Sequence, residues 1–286
     1  MKKTLALLSL ALLLGGCATA PPGVVTAADM GRIVASADRT AADRQNDLRR
    51  KPVDLFAFMG LRPGMTALDV SAGGGYTSEL LARAIGPSGR VYGQSQPRDA
   101  ARPTPAPAAP EGGSAPTTAP TTAPAGDAPR PAPRTSAMAL AEREQRLRSA
   151  GVAAAPIVAV AQRFDDPVPA ALAEGGLDIV TLMFNYHDFG FMGVDRARLN
   201  AAVFRGLKRG GLYVLADHAG RPGTGIGESG TLHRIEESFL RREVEAAGFK
   251  LLEQGQFLRN ANDPRDRNTP EPLQPKDEFV LKFVKP

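Results

Sequence analysis

Three consecutive glycines, Gly73 to Gly75, follow the acidic residue Asp69 in this 286-residue chain. Glycine lets a ligand approach the backbone closely and adopts positive φ angles that other residues avoid. A helix that starts directly after such a turn offers free N–H groups to an anion. The Asp69 carboxylate could accept a hydrogen bond from a ligand amine. The residue types therefore predict a ligand-binding turn, and a tight turn without a ligand is the structural alternative.

Histidines and carboxylates form the second group that could do chemistry, at His187-Asp188 and at Asp217-His218. A histidine held by a carboxylate can take a proton near neutral pH. We expect His187 to act as a base, with Asp188 or Asp217 orienting it and with His218 nearby. Tyr186 or Asn185 would place the substrate. Two alternatives stay open: the pairs are purely structural, or His187 and His218 bind a metal.

Apolar runs predict the elements that position these residues. The predicted strands are Ala67–Val70, Arg90–Gln94, Ile157–Phe164, Leu177–Asn185, Leu212–Ala216, Phe249–Leu258 and Glu278–Val284. The predicted helices are Asp29–Lys51, Asp54–Leu61, Tyr76–Ile85, Ser136–Gly151, Arg196–Lys208 and, capped by Thr231, Leu232–Ala247. Alternating strands and helices indicate an α/β fold with a doubly wound, mostly parallel, seven-stranded sheet and an antiparallel C-terminal hairpin. Ligands of such sheets lie outside the carboxyl ends of the strands, where both groups of residues fall.

The N-terminus has the features of an export signal. Lys2 and Lys3 precede the apolar stretch Thr4–Leu14, which is shorter than the roughly 20 residues that span a bilayer. The stretch ends in Leu-Gly-Gly-Cys17, which resembles a bacterial lipobox and holds the only cysteine. We expect lipidation at Cys17 and a tether over residues 18–28, although an ordinary cleaved signal is the alternative. By resemblance to sorted lipoproteins, Ala18 favours the periplasmic side of the outer membrane.

A single domain over residues 29–286 is expected to be interrupted between positions 97 and 134. That segment holds 11 of the 25 prolines and has no apolar periodicity, so it is predicted to be a disordered insertion. The charged residues at positions 38–51 are typical of a solvated helix face and, alternatively, of a lid over the glycine turn. The net charge of +5 includes Lys2 and Lys3, and no basic run alternates with aromatics, which excludes a nucleic-acid partner.

The glycine-rich stretch fits a methyltransferase motif, with Ser71 where the first glycine usually stands. Outside the insertion, the chain resembles exported bacterial predicted methyltransferases of the class I, S-adenosylmethionine-dependent type. The matching stretches are Arg49-Arg50-Lys51-Pro52, Gly60 to Gly64, Asp69 to Tyr76, Tyr186-His187-Asp188, Asp217-His218, Leu232 to Ile235 and Glu278 to Phe283. The resemblance implies S-adenosylmethionine as cofactor and methyl transfer, and we expect a small-molecule acceptor.

The cofactor site that the resemblance implies contains Asp69, Ser71 and the three glycines, Gly73, Gly74 and Gly75. Gln94, or Gln96, would stand where an acidic residue usually binds the ribose, and Asp165 or Asp166 would receive the adenine amino group. Ser71 and Gln94 depart from the usual pattern. With the doubtful supply of cofactor outside the cytoplasm, they support a rival hypothesis, a non-catalytic binding protein with a degenerate fold. A third hypothesis is a metal-dependent, hydrolase-like enzyme that uses His187 and His218 in the same crevice.

Overall fold

The computed structural model describes residues 23–97 and 134–286. The predicted signal segment, Cys17, the first part of the tether and the interior of the predicted insertion lie outside the described residues. Within the described ranges, no helix is long and apolar enough to cross a membrane.

A seven-stranded mixed sheet forms the centre of the fold, as predicted. The strands are β1 (Thr66–Val70), β2 (Arg90–Ser95), β3 (Ile157–Ala161), β4 (Leu177–Met183), β5 (Leu207–His218), β6 (Lys250–Gly255) and β7 (Glu278–Val284). Their order is β3-β2-β1-β4-β5-β7-β6. The first five are parallel, and β7 pairs antiparallel with both β5 and β6. The strand order reverses at β1, which lies between β2 and β4, and a crevice forms at such a point outside the carboxyl ends of the strands.

Nine helices flank the sheet in the described parts of the chain. They are α1 (Ala27–Val34), α2 (Ala41–Arg50), α3 (Pro52–Met59), α4 (Tyr76–Ile85), α5 (Ser136–Ser149), α6 (Asp188–Phe191), α7 (Arg196–Gly206), α8 (Ser229–Leu232) and α9 (Glu237–Ala246). Neighbouring residues in a strand face opposite sides of the sheet. Ile179 accordingly belongs to an apolar cluster with residues of α1, α3, α4 and α5, whereas Val180 belongs to a second cluster with residues of α7 and α9. Burial on both faces explains the unbroken apolar run of β4.

The N-terminal segment packs on the domain earlier than predicted. Val25 is buried and its N–H donates to the Leu61 carbonyl at 2.8 Å, so the last residues of the predicted tether belong to the fold. Thr26 and Asp29 form a reciprocal capping box that starts α1. The single helical segment expected over residues 29–51 is two helices, because the chain turns between Val34 and Ala41.

The helix predicted over Leu232–Ala247 is wrong in its first turn. Residues 233–236 connect α8 to α9, with His233 at a left-handed φ of 51°. Ile235 forms a parallel bridge with Ala219, and its N–H donates to the His218 carbonyl at 3.0 Å. Arg234 is fully buried on Asp263. These tertiary contacts outweigh the local helical pattern, and Glu236 rather than Thr231 precedes the long helix.

Candidate functional site

The glycine turn joins β1 to α4 as predicted, and three of its residues have left-handed backbone conformations. Ser71, Gly73 and Gly75 have φ angles of 57°, 52° and 76°, in the left-handed region. An added Cβ at Gly75 would also lie 2.8 Å from the Arg143 and Leu140 side chains, which would have to move. At Gly74, by contrast, an added Cβ would meet no atom of residues 23–97 or 134–286 within 4 Å. The backbone at Gly74 therefore borders open space that a ligand can occupy.

A cavity of about 240 Å³ lies over this turn. Its floor includes Asp69, Ser71 and Gly73, and its walls include Arg50 of α2 and Arg143 of α5. The volume is below the roughly 300–1,000 Å³ of pockets that enclose a drug-sized ligand. The cavity therefore suits one end of such a ligand rather than all of it.

Asp43 and Asp47 of α2 face the glycine turn as a lid, whereas Arg44 stays exposed to solvent. Asp43 is buried and accepts hydrogen bonds from Arg143 at 2.8 and 3.0 Å. Asp47 accepts from the Tyr76 hydroxyl at 2.6 Å and from both Nη atoms of Arg39. Helix α2 is thus fastened to both α4 and α5. The sequence had left this lid as one of two alternatives.

Arg50 brings a cation to the cavity without a carboxylate bonded to it. Its side chain is partly exposed, but its Nε is fully buried and makes no hydrogen bond. The guanidinium lies over the rings of Tyr76 and Phe184, 5.3 and 4.8 Å from their centroids. Burial, followed by repulsion from Arg49, lowers the pKa of Arg50 to about 10. Arg50 therefore remains charged at neutral pH and is available to an anion. In the sequence it was named only as part of Arg49-Arg50-Lys51-Pro52, one of the stretches that carry the family resemblance.

Asp69 lies at the floor of the cavity as predicted, and it is almost completely buried. Its two oxygens accept hydrogen bonds from Ser78 at 2.6 Å and Thr181 at 2.9 Å. Burial raises the pKa of Asp69 to about 6, although these hydroxyls and Arg50 oppose the change. The ionised carboxylate is therefore under-compensated in the ligand-free protein.

Asp69→Asn is expected to stabilise the protein at neutral pH. The native carboxyl keeps its proton up to about pH 6, against a reference pKa of 3.8, so stability falls as pH rises through this window. A difference of about two pKa units corresponds to roughly 3 kcal/mol. Urea unfolding should show a gain of up to about that size at pH 7 and little gain below pH 4. Asp266→Asn, at an exposed site, is the control, and an equal gain for Asp69→Asn at both pH values would contradict the assignment.

The two glutamine candidates for ribose binding differ in their surroundings. Gln94 is fully buried, accepts from the Ser71 N–H at 2.9 Å and donates to the Gln162 carbonyl at 2.6 Å. Its expected role as a ribose ligand is therefore corrected, because both ends of the amide are occupied by the backbone. Gln96 is exposed and borders a second cavity of about 280 Å³ together with Phe164 and Asp165.

The two acidic candidates for the adenine site, Asp165 and Asp166, are both paired with arginines. Asp165 accepts two hydrogen bonds of 2.8 Å from Arg163, which hold the pKa of this carboxyl below its usual range. Asp166 lies 3.2 Å from Arg198 and is half exposed. The position of Asp165 at the carboxyl end of β3 agrees with the prediction, but an adenine amino group would have to share its oxygens with Arg163.

His187 lies at the carboxyl end of β4, next to His218, as predicted. Its ring is fully buried, with Nδ1 2.6 Å from Asp217 and Nε2 3.0 Å from Asp188. Burial alone would lower the pKa of His187, but Asp217 and then Asp188 outweigh it and raise the pKa to about 10. The assignment of His187 as a base is therefore corrected: the ring is an imidazolium at neutral pH and touches no solvent.

His218 and Tyr186, two further candidates, also face the protein interior. His218 is buried, and its Nδ1 lies 3.0 Å from Glu278, which Arg49 also contacts at 2.8 Å. The Tyr186 hydroxyl donates to Glu243 at 2.9 Å, and burial followed by the charge of Glu243 raises its pKa far above the usual range. Tyr186 cannot place a substrate in the crevice, because its hydroxyl lies under α7 and α9.

Asp188 connects the predicted groups to His233, for which the sequence indicated no role. It lies 2.9 Å from Nδ1 of His233, whose side chain is about one third exposed. Asp188 also accepts a hydrogen bond from Asn185 at 2.7 Å, and Asn185 in turn accepts from the Ser71 hydroxyl at 2.6 Å. A chain of contacts therefore runs from the glycine turn to His233. The helical prediction over residues 232–247 concealed this arrangement.

Comparison with known proteins gives the fold. No family model and no curated protein matches the sequence. A S-adenosylmethionine-dependent methyltransferase from Aquifex aeolicus is similar in structure, with a TM-score of 0.50, 13% identity and coverage of 87% of this chain and 100% of that one. A putative sarcosine dimethylglycine methyltransferase from Galdieria sulphuraria gives a TM-score of 0.50 at 13% identity, covering 86% of each chain.

A third similar structure is a complex from Haloferax volcanii between the Trm112 methyltransferase activator and a putative methyltransferase. Its TM-score is 0.50 at 17% identity, and the match covers 86% of this chain and 93% of that one. Together with the strand order and the antiparallel β7, these similarities show that the chain has the class I methyltransferase fold.

Proposed function

We propose that the protein binds S-adenosylmethionine over the glycine turn and transfers its methyl group to a small molecule. The observation that carries the proposal is the cavity over Gly73 and Gly74, which is lined both by the buried Asp69 and by Arg50, an arginine that makes no ion pair with another described residue. The methionine end of the cofactor is a zwitterion. Its ammonium suits the under-compensated carboxylate of Asp69, and its carboxylate suits the unpaired guanidinium edge of Arg50.

The remainder of the cofactor would extend along the carboxyl ends of β2 and β3. The second cavity there, bordered by Gln96, Phe164 and Asp165, offers an amide, an aromatic ring and a carboxylate. These groups suit a ribose and an adenine ring. The division of one ligand between two modest cavities agrees with the small volume over the glycine turn.

The methyl acceptor would lie against His233 and the exposed side of Asp188. Methyl transfer is a displacement at carbon, so the enzyme must align the acceptor with the sulfonium and receive a proton from an oxygen or nitrogen nucleophile. Phe191 meets the His233 ring edge-on at 5.9 Å, and Phe191 and Met192 are about half exposed. An acceptor with a polar group and an apolar part fits this surface.

Gly74→Val tests the cofactor site. The added side chain meets no protein atom near its Cβ, so the fold should persist while the side chain fills the space of the ligand. Calorimetric titration should show that S-adenosylmethionine binding is lost. Gly31→Val is the matched control, because Gly31 also has open space at its Cβ but lies in α1. Unchanged affinity in Gly74→Val would refute binding over the turn.

A non-catalytic binding protein is the second candidate, and the occupied amide of Gln94 favours it. The end of β2 carries no free acidic or amide group at that position, since Gln94 is bonded to Ser71 and Gln162. Without a hydrogen bond from the ribose to a charged group, the free energy of cofactor binding would be less favourable by about 1.5–3 kcal/mol. A folded protein without measurable affinity for S-adenosylmethionine would support this candidate over the enzyme.

We also propose that the protein is a lipoprotein on the periplasmic side of the outer membrane. The support is the sequence Leu14-Gly15-Gly16-Cys17 after a short apolar stretch, with Ala18 next. Cys17→Ser is expected to release the protein from membranes or to stall its processing, because acyl chains supply the attachment. Cell fractionation with a mobility assay measures both. A variant that remains as membrane-bound and as fully processed as the parent would refute lipidation at Cys17.

A further inference from the structure

We propose that His187, Asp188 and His233 form a binding site for a divalent transition-metal ion. One nitrogen of each histidine and one oxygen of Asp188 lie within 4.8 Å of one another. This site differs from the pairing of His187 with His218, because His218 is turned toward Glu278. The proposed metal site and the proposed methyl transfer are independent, so either one could be refuted without the other.

The distances agree with those inside a metal coordination shell. Nε2 of His187 and Nδ1 of His233 lie 3.0 and 2.9 Å from the same oxygen of Asp188. Tetrahedral metal–ligand bonds of about 2.0–2.1 Å separate ligand atoms by roughly 3.3 Å. Small side-chain movements would therefore admit an ion between the three groups.

The Nε2 atom of His187 provides an independent indication of a missing ligand. It is fully buried, and despite its contact with Asp188 it lacks a hydrogen bond of normal geometry. Buried polar side-chain atoms are seldom left in this state. A metal ion placed between Nε2 and Asp188 would satisfy the atom.

The surroundings of the three groups are those of a metal site. Nδ1 of His187 contacts Asp217 at 2.6 Å, which would fix the ring with Nε2 toward the ion. The second oxygen of Asp188 accepts from Asn185 at 2.7 Å, which fixes the carboxylate. Ligating histidines and carboxylates are commonly held by such partners. Two carboxylates in contact with His187 also favour a cation at this position, and the ion would displace the ring proton.

The backbone presents His233 to Asp188 in an unusual conformation. Its φ of 51° is uncommon for a residue other than glycine, and the bridge between Ala219 and Ile235 keeps the chain in place. Such strain gathers at functional sites. Two imidazoles and one carboxylate suit Zn²⁺, Co²⁺ or Fe²⁺, and the partly exposed sides of Asp188 and His233 leave coordination positions for water or an acceptor.

The test uses the untagged full chain in a Cys17→Ser background, so that no thiol competes for the ion. After chelator treatment, Zn²⁺ titration by calorimetry should show one ion per chain. His233→Gln and Asp188→Asn should each weaken Zn²⁺ binding more than 10-fold. Replacing a residue that only supports a metal ligand typically costs 10–100-fold in affinity, and these two residues are ligands themselves. Asp166→Asn is the matched control and should bind as the parent does.

Visible absorption of bound Co²⁺ provides a second measurement, which needs only the protein without ligand substitutions. Bound to nitrogen and oxygen ligands in a low-symmetry site, it should give visible absorption bands that Zn²⁺ abolishes. Circular dichroism checks that the variants are folded. Absence of Zn²⁺ binding, binding that is unaffected by His233→Gln and Asp188→Asn in folded protein, or absence of the Co²⁺ bands would each overturn the proposal.

Discussion

Asp217→Ala is expected to lower the free energy of unfolding of the metal-free protein by about 3–5 kcal/mol. The Asp217 side chain is fully buried and accepts from the His187 N–H, the His187 ring and the His218 N–H, at 2.8, 2.6 and 2.8 Å. Removal of the carboxylate would leave a buried imidazolium without its closest counter-charge, besides two buried N–H groups without acceptors. Chemical denaturation in the presence of chelator measures the effect.

Asp166→Ala is the control for the loss of an aspartate from an ion pair. Its carboxylate lies 3.2 Å from Arg198, and both side chains are about half exposed. Exposed pairs contribute roughly 0–1 kcal/mol, so this variant should unfold almost as the parent does. A similar small effect for Asp217→Ala would contradict the view that Asp217 compensates a charged His187 in the metal-free protein.

Arg50→Met is expected to weaken binding of S-adenosylmethionine by about 10–100-fold, which corresponds to the 1.5–3 kcal/mol of a hydrogen bond to a charged group. S-adenosylhomocysteine should lose the same factor, because it shares the methionine carboxylate. The melting temperature should stay the same or rise, since the buried Nε has no protein partner to lose. Calorimetric titration and thermal unfolding give the two readings.

Arg49→Met is a close control, because both arginines lie 4.8 Å from the Phe184 ring centroid. Arg49, however, contacts Glu278 at 2.8 Å and does not border the cavity over the glycine turn. Its replacement should reduce stability and leave cofactor affinity unchanged. If Arg49→Met and Arg50→Met weakened binding equally, Arg50 would not be the specific contact for the carboxylate.

The fold could be predicted because its signals are local. The apolar run of β4 and the glycine turn after β1 each indicate their structure within a few residues, and alternation of strand and helix then favours one sheet arrangement. The prediction of a helical first turn at Leu232 was wrong because the structure there depends on distant contacts rather than on local signals. The bridge of Ile235 with Ala219 and the burial of Arg234 on Asp263 are contacts between distant residues, which periodicity does not reveal.

The site could be predicted by position but not by role. Residues after β1, β4 and β5 meet at one edge of the sheet, so Asp69, His187 and Asp217 lie where the sequence places them. Which side chains face a ligand depends on partners from elsewhere. Gln94 is occupied by Gln162, and Arg50 reaches the cavity only because α2 folds over the glycine turn.

Calorimetric titration of the purified protein with S-adenosylmethionine and S-adenosylhomocysteine tests the central claim most directly. We predict one site per chain for both ligands, with dissociation constants between about 1 μM and 1 mM, the usual range of substrate affinities. The Gly74→Val variant should show no binding while remaining folded. Absence of binding by the folded parent at millimolar ligand would contradict the claim that the cavity between Asp69 and Arg50 holds this cofactor.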